Sequence, residues 1–328
     1  MKVAAVIPHW NRRDLLQTLL ANLREQTRAF DEVIVADNGS QDDSAAVATQ
    51  AGARVIYLEK NLGFAAAVNR GIAATEADWI AILNNDVNLE PQWLANLLAA
   101  AEKQAASFAT GKTLMASDPS RIDGTFDTIS RAGCAYRCGS GKPDGPLWNR
   151  ARQIWIAPMT AALFRRSLLQ EIGPLDERFE SYLEDVDFGI RCALTDRLGI
   201  YEPSAIAYHQ GSSTFGQWNK YSVRLLARNQ VLLTTKHFHG LSRWPIVAGQ
   251  LLWGILALRH GCAGAYLRGK MSGMRAARFV ARESASVNTE VVTKTEAFLR
   301  ESERTILEIQ QQTGFDHYWR AYFWLLGL

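Results

Sequence analysis

Short apolar runs alternate with helical repeats from the first residues of this 328-residue chain, and that alternation restricts the folds open to it. Residues 3–7, 32–36, 54–58, 79–83 and 108–114 read as strands; 14–24, 44–50, 65–74 and 91–103, between them, read as helices. Strand–helix–strand units of this length call for a mostly parallel sheet with helices on its faces. The first 115 residues are therefore expected to form half of a doubly wound α/β fold. From 116 to 153 the spacing breaks at Asp-Pro, Gly-Ser-Gly and Pro-Asp-Gly clusters, which predicts loop, and a mobile one over a site. Order resumes with the apolar run 154–164, the helix 166–172 and a dense acidic segment, where the second half of a site is expected.

Beyond about Tyr221 the pattern turns helical. Residues 244–258 hold no charge but number only 15, short of the roughly 20 that a membrane span needs. Arg243 and Arg259 bound the run, and Arg268, Lys270, Arg275, Arg278 and Arg282 follow it. A basic helix beside an apolar one suits an anionic membrane surface, with a buried helical hairpin as the other reading. The tail 289–312 reads as a polar helix. Phe315, Tyr318, Trp319, Tyr322, Phe323 and Trp324 after it suit interfacial anchors or a contact between two copies.

Composition excludes some classes. At 48% hydrophobic the chain can build a packed core, and a net charge of +3 with dispersed basic residues gives no footprint for nucleic acid. Met1-Lys2 leads straight into a strand, and the four cysteines sit at no zinc-finger spacing, so free thiols in a reducing, cytoplasmic setting are expected.

Four segments carry chemistry. Residues 33–37 form a strand that ends at Asp37 and turns through Asn38-Gly39-Ser40; ligands of open α/β sheets bind beyond such strand ends. A carboxylate there accepts from a ribose hydroxyl or a base N–H, or caps its own Asn-Gly turn. The first strand ends in Pro8-His9-Trp10-Asn11, with no G-x-G-x-x-G, which disfavours a dinucleotide-binding dehydrogenase. A second strand runs into Asn84-Asn85-Asp86, where Asp86 suits a hard cation, Mg²⁺ or Mn²⁺, completed by water and phosphate oxygens, or else a helix N-terminus. Glu184, Asp185 and Asp187 crowd three carboxylates into four residues, an arrangement that needs cations, helix-end amides or chemistry to offset its repulsion. One of them suits general-base work on a hydroxyl group. His209, before Gly211-Ser212-Ser213, suits the same metal or a diphosphate.

Together, Asp37 to Ser40, Asn61-Leu62-Gly63-Phe64 with Asn69, Leu83 to Asp86, Ala157 to Ala162, Gly173 to Arg191 and His209 resemble the inverting family-2 glycosyltransferases, most of all their rhamnosyltransferase-like branch. The resemblance covers roughly residues 2–235. It implies an α/β fold of GT-A type over 1–235, a mixed and mostly parallel sheet flanked by helices, with a helical extension over 236–328. It implies Pro8, Asn11, Asp37, Asn38, Asn61, Gly63, Asn69, Asn84 and Asn85 on the nucleotide-sugar donor, Asp86 and His209 on Mg²⁺ or Mn²⁺, Asp185 as general base and Glu184, the second catalytic carboxylate, as acceptor contact or backup. The family's D-x-D motif reads Asn84-Asn85-Asp86 here, without its first carboxylate. The reaction implied is transfer of rhamnose or another hexose from a nucleotide diphosphate to a saccharide or polyprenyl-linked acceptor of a bacterial surface polysaccharide, at the inner face of the membrane.

Three other classes compete. A nucleotidyltransferase calls for a Gly-rich, basic phosphate loop, which Pro8 to Arg13 resembles poorly; an inactive scaffold calls for a broken acidic motif; a processive synthase calls for a Gln-x-x-Arg-Trp segment and several spans, neither evident.

Overall fold

The computed structural model describes residues 1–211, 218–283 and 289–328, with backbone alone for 281–283. The chain separates into two compact units: Met1–Phe126 with Gly139–Ser213, and Asp127–Cys138 with Thr214–Leu328.

Chain order runs β1 (Val3–His9), α1 (Arg13–Leu23), β2 (Glu32–Asp37), α2 (Ser44–Gln50), β3 (Arg54–Tyr57), α3 (Phe64–Ala73), β4 (Trp79–Leu83), β5 (Val87–Leu89), α4 (Trp93–Lys103), β6 (Phe108–Met115) and β7 (Asp118–Gly124). Strands β8 (Asp127–Ile129) and β9 (Ala135–Arg137) form a hairpin of the second unit. The first unit then resumes with β10 (Arg152–Ile154), β11 (Ala161–Arg165), α5 (Arg166–Ile172), α6 (Glu184–Leu194) and β12 (Gly199–His209).

The sheet order is β10-β12-β6-β11-β4-β1-β2-β3, with β5 on β12 and β7 on β6. Strands β3, β2, β1 and β4 are parallel, as are β6 and β12, while β11 runs antiparallel between β4 and β6. Every residue of β4 is buried, as expected of a central strand covered on both faces. Leu15, Leu16, Leu19, Leu20 and Leu23 give α1 the apolar stripe that docks it.

Strand β12 pairs with β6 in two registers. Gly199 to Glu202 lie opposite Phe108 to Gly111, and Ile206 to His209 lie opposite Lys112 to Met115, so residues 203–205 bulge out of the ladder. The Ala205 carbonyl closes so tightly on Gly111 that no side chain fits there.

The expectation of a loop over 116–153 fails. Strand β7 pairs with β6, Ile122 exchanges backbone hydrogen bonds with Gly141 and Lys142 (2.9 Å each), and Ile122, Thr125, Phe126 and Trp148 are buried. The Gly and Pro clusters mark tight turns between strands too short, and too bulged, to show a period of two. The apolar run 154–164 also divides, with β11 beginning only at Ala161.

In the second unit the β8–β9 hairpin is joined by α7 (Lys220–His237), α8 (Trp244–Arg259), α9 (Ala263–Glu283), α10 (Thr289–Thr313) and α11 (His317–Leu325). The boundary drawn at 235 from sequence falls within α7, which packs with the C-terminal helices. Gly269 and Gly273 let α9 lie directly on α7: a Cβ at Gly269 would fall on the Arg224 carbonyl, and one at Gly273 would stand 2.7 Å from that of Arg228. All four cysteines are buried, and none of them forms a disulfide. Among the described residues no helix is long and apolar enough to cross a membrane.

Candidate active site

The carboxyl ends of β1, β2 and β4 bring the first group together, as the topology of an open α/β sheet requires. In the ladder Pro8 lies opposite Ala36 and His9 opposite Asp37. Asp37 is 5% exposed, and its Oδ1 accepts from the Ser40 amide at 3.0 Å, so it closes its own turn as well as facing the crevice. Asn38 Oδ1 accepts from the Leu62 amide (2.9 Å), and its Nδ2 donates to Asn61 Oδ1 and the Gly63 carbonyl (3.0 Å each). Asn38 thus fixes the Asn61–Phe64 loop. Asn11 Oδ1 accepts from the Gln41 amide, and its own amide donates to Ser40 Oγ, both at 2.8 Å, which ties the ends of β1 and β2.

His9 is 2% exposed, and burial pushes its imidazole down to about 4 against the pull of Asp37, so the ring is neutral at pH 7. Asn85 Nδ2 lies 2.9 Å from His9 Nδ1; an amide nitrogen only donates, so Nδ1 accepts and Nε2 carries the hydrogen.

Three strands deliver the second group. Asp86 immediately precedes β5, His209 pairs with Val87 in the β5–β12 ladder, and the Gln210 amide donates to the Asp86 carbonyl at 3.0 Å. Register thereby sets the imidazole beside the carboxylate, with Nε2 3.2 Å from Asp86 Oδ1. On the other side of the ring Nδ1 lies 2.9 Å from Asp123 Oδ2, contributed by β7. Burial opposes charge on His209, but the hydrogen bonds to Asp123 and Asp86 outweigh it and raise the ring to about 9.

The acidic segment opens α6. Glu184 is 6% exposed and Asp185 half-buried, its Oδ1 accepting from the Val186 amide at 2.8 Å, and both lie in the first turn, where the helix dipole favours carboxylates. Asp187, fully buried, receives Arg191 Nε at 3.1 Å. The approach is strained, with Glu180, Tyr182 and Leu183 at φ 61°, 73° and 68°. That segment is pinned to the Asn61–Phe64 loop: the Ala65 amide donates to the Glu180 carbonyl (3.0 Å) and the Phe64 amide to Ser181 Oγ (3.2 Å).

Asn69 is spent on a brace, its amide bridging the Leu175 backbone (2.9 Å each way) and Glu177 Oε1 (3.0 Å). The backbone of Asn84 donates to the Thr160 carbonyl at 2.9 Å. Ser212 and Ser213, expected to help cradle phosphate, lie outside the described residues. Sequence reasoning missed Asp123, concealed in the segment read as loop, and His9, quoted only to exclude another fold.

Among the described residues no cluster of three or more His, Cys, Asp or Glu is arranged to hold a metal alone. The pair Asp86 and His209 sets a carboxylate and an imidazole 3.2 Å apart, donor types that would suit a divalent ion whose other positions a diphosphate and water fill. A hydrogen bond from Nδ1–H to Asp123 would leave Nε2 as the donor atom.

Solved structures share the fold. GalNAc-T7, solved with UDP, GalNAc and Mn²⁺, matches over 96% of this chain and 58% of its own, with a TM-score of 0.63 at 12% identity. A mannosyltransferase from Pyrobaculum calidifontis, solved with GDP-Man and Mn²⁺, matches over 98% and 85%, with a TM-score of 0.54 at 16% identity. These likenesses establish the fold, that of the GT-A glycosyltransferases. Residues 4–173 match the family model described as Glycosyl transferase family 2. An N-acetylglucosaminyl-diphospho-decaprenol L-rhamnosyltransferase of Mycobacterium tuberculosis is 32% identical over 224 residues, 61% of this chain and 73% of its own. The O-antigen biosynthesis protein RfbC of Myxococcus xanthus is 26% identical over 205 residues, 58% of this chain and 16% of that longer one. The chain belongs to glycosyl transferase family 2, in its rhamnosyltransferase-like branch.

Proposed function

We propose that the first unit transfers a hexose, of rhamnose type, from a nucleotide-diphosphate donor to a saccharide or polyprenyl-linked acceptor in surface-polysaccharide synthesis, with inversion. The observation that carries this reading is the meeting of Asp86 and His209 at 3.2 Å beyond the strand ends that also present Asp37.

In this reading Asp37 binds the nucleoside from the end of β2, and Asn11 and Asn38 hold the loops that enclose it. Asp86 and His209 would hold Mg²⁺ or Mn²⁺, which would supply positive charge to offset that of the diphosphate. Asp185 takes the proton of the acceptor hydroxyl as its oxygen bonds to the anomeric carbon and the bond from that carbon to the diphosphate oxygen breaks. Glu184 contacts the acceptor. One displacement, with no sugar–enzyme bond, inverts the anomeric centre. The second unit serves the acceptor side, at the inner membrane surface.

Calorimetric titration of UDP, dTDP and GDP, with and without Mn²⁺, tests the donor half. Metal-dependent binding of one nucleotide, abolished by Asp86→Ala, is expected. Binding of none of the three would overturn the reading in favour of an inactive scaffold.

A further inference from the structure

Helix α8 turns an apolar side to solvent. Trp244, Val247, Leu251, Ile255 and Leu258 recur at spacings of three and four, which stacks them in one stripe, and each is between 47% and 66% exposed. Helix α9 carries a second stripe of Leu267, Met271 and Met274, between 48% and 59% exposed. Its opposite side is the one that Gly269 and Gly273 set against α7.

The two stripes share a side. Gln250 meets Tyr266 and Lys270, and Gly254 meets Tyr266, so α8 and α9 run antiparallel. At about 100° per residue, each stripe lies about a quarter-turn from the residues that face the other helix, in the same sense along its own chain. In an antiparallel pair that sense opens both stripes toward one side. Eight large apolar side chains on one surface exceed what a water-facing monomer ordinarily leaves bare.

Charge selects the occupant. Residues 243–282 contain seven Lys or Arg and no Asp or Glu. Arg268, Arg275 and Arg278 are exposed on α9 along and beside its stripe. A second copy laid on this face would set arginines against arginines with no carboxylate from the segment between them. An anionic bilayer supplies both complements at once, acyl chains for the stripes and phosphates for the arginines.

We propose that this α8–α9 face is a lipid-docking surface that lies in the interface of an anionic membrane. It deepens the membrane setting of the proposed function. Vesicle binding is read without turnover, so failure of the one is distinguishable from failure of the other.

Flotation of the full chain with vesicles of phosphatidylcholine, with and without phosphatidylglycerol, provides the test. The chain is expected to float with the anionic vesicles and to lose binding as salt rises. Leu251→Glu with Ile255→Glu abolishes flotation. Arg275→Gln with Arg278→Gln weakens binding to anionic vesicles about 30-fold, from about fivefold per arginine. An unchanged melting curve shows that these exposed substitutions leave the fold intact. Failure to float with either vesicle overturns the proposal. So does a dimer by light scattering that Leu251→Glu with Ile255→Glu dissolves, which assigns the face to a second copy.

Discussion

Gly63→Ala tests whether the Asn61–Phe64 loop and the acidic loop act as one body. Gly63 sits at φ 91° and ψ 170°, a region essentially reserved for glycine, and an alanine there costs about 1–3 kcal/mol. Its Cβ would also stand 2.6 Å from the Glu180 carbonyl oxygen and 2.8 Å from the carbon behind it. Ordinary contact starts at 3.4 Å, so the backbone at 180 must retreat by 0.8 Å, the difference between 3.4 and 2.6. Glu180, Tyr182 and Leu183 are already held at positive φ, so the segment absorbs little of that shift before it reaches Glu184 and Asp185. Displacement by about 1 Å of a reacting group, the role proposed for Asp185, costs roughly 100-fold in rate. The melting temperature should fall by roughly 5 °C, and kcat/KM, followed by release of nucleoside diphosphate, by roughly two orders of magnitude. Gly52→Ala is the control, since φ there is 80° but no atom lies within 4 Å of the added Cβ. It should cost about 1 kcal/mol and no activity. If Gly63→Ala turns over as fast as Gly52→Ala, the two loops are not coupled.

Asn38→Ala removes three hydrogen bonds that hold residues 61–63, so calorimetry should show weaker nucleotide binding and a scan a stability loss of about 3 kcal/mol. Asp187→Asn discharges a fully buried carboxylate that receives Arg191, and should lower stability by about 3 kcal/mol in denaturant titration while nucleotide affinity persists. Burial lowers Lys270 from 10.5 to about 8, so between those values the unfolded chain holds a proton that the folded chain lacks, and stability rises with pH across that window. The gap is worth about 3 kcal/mol, so the stability difference between wild type and Lys270→Met should move by about that much from pH 8 to 10.5; a flat difference would refute the assignment.

Much of the first unit was legible because parallel strands covered on both faces read as apolar runs, and because a strand that stops at a polar residue marks the crevice. Asp37 and Asp86 are both of that kind. Asp123 was not, since β7 is a strand with two register shifts whose first four residues are all exposed, so it shows neither alternation nor an apolar run. The roles of Asn38 and Asn69 were equally hidden, because an amide that binds ligand and an amide that braces a loop are the same residue in a sequence. For α8 the run itself was plain, but a helix apolar on every side does not reveal which side meets water.

The bulge at 203–205 acts as a phase setting for the end of the sheet that carries His209. Side chains along a strand alternate in direction, so shortening or lengthening this bulge by a single residue would invert everything downstream of it. His209 would then swing to the face away from Asp86 and Asp123, although no residue that touches it had changed. Loop-length changes here are therefore changes of chemistry. A homologue with one residue more or fewer between the halves of this strand would need a different side chain beside its Asp86 counterpart.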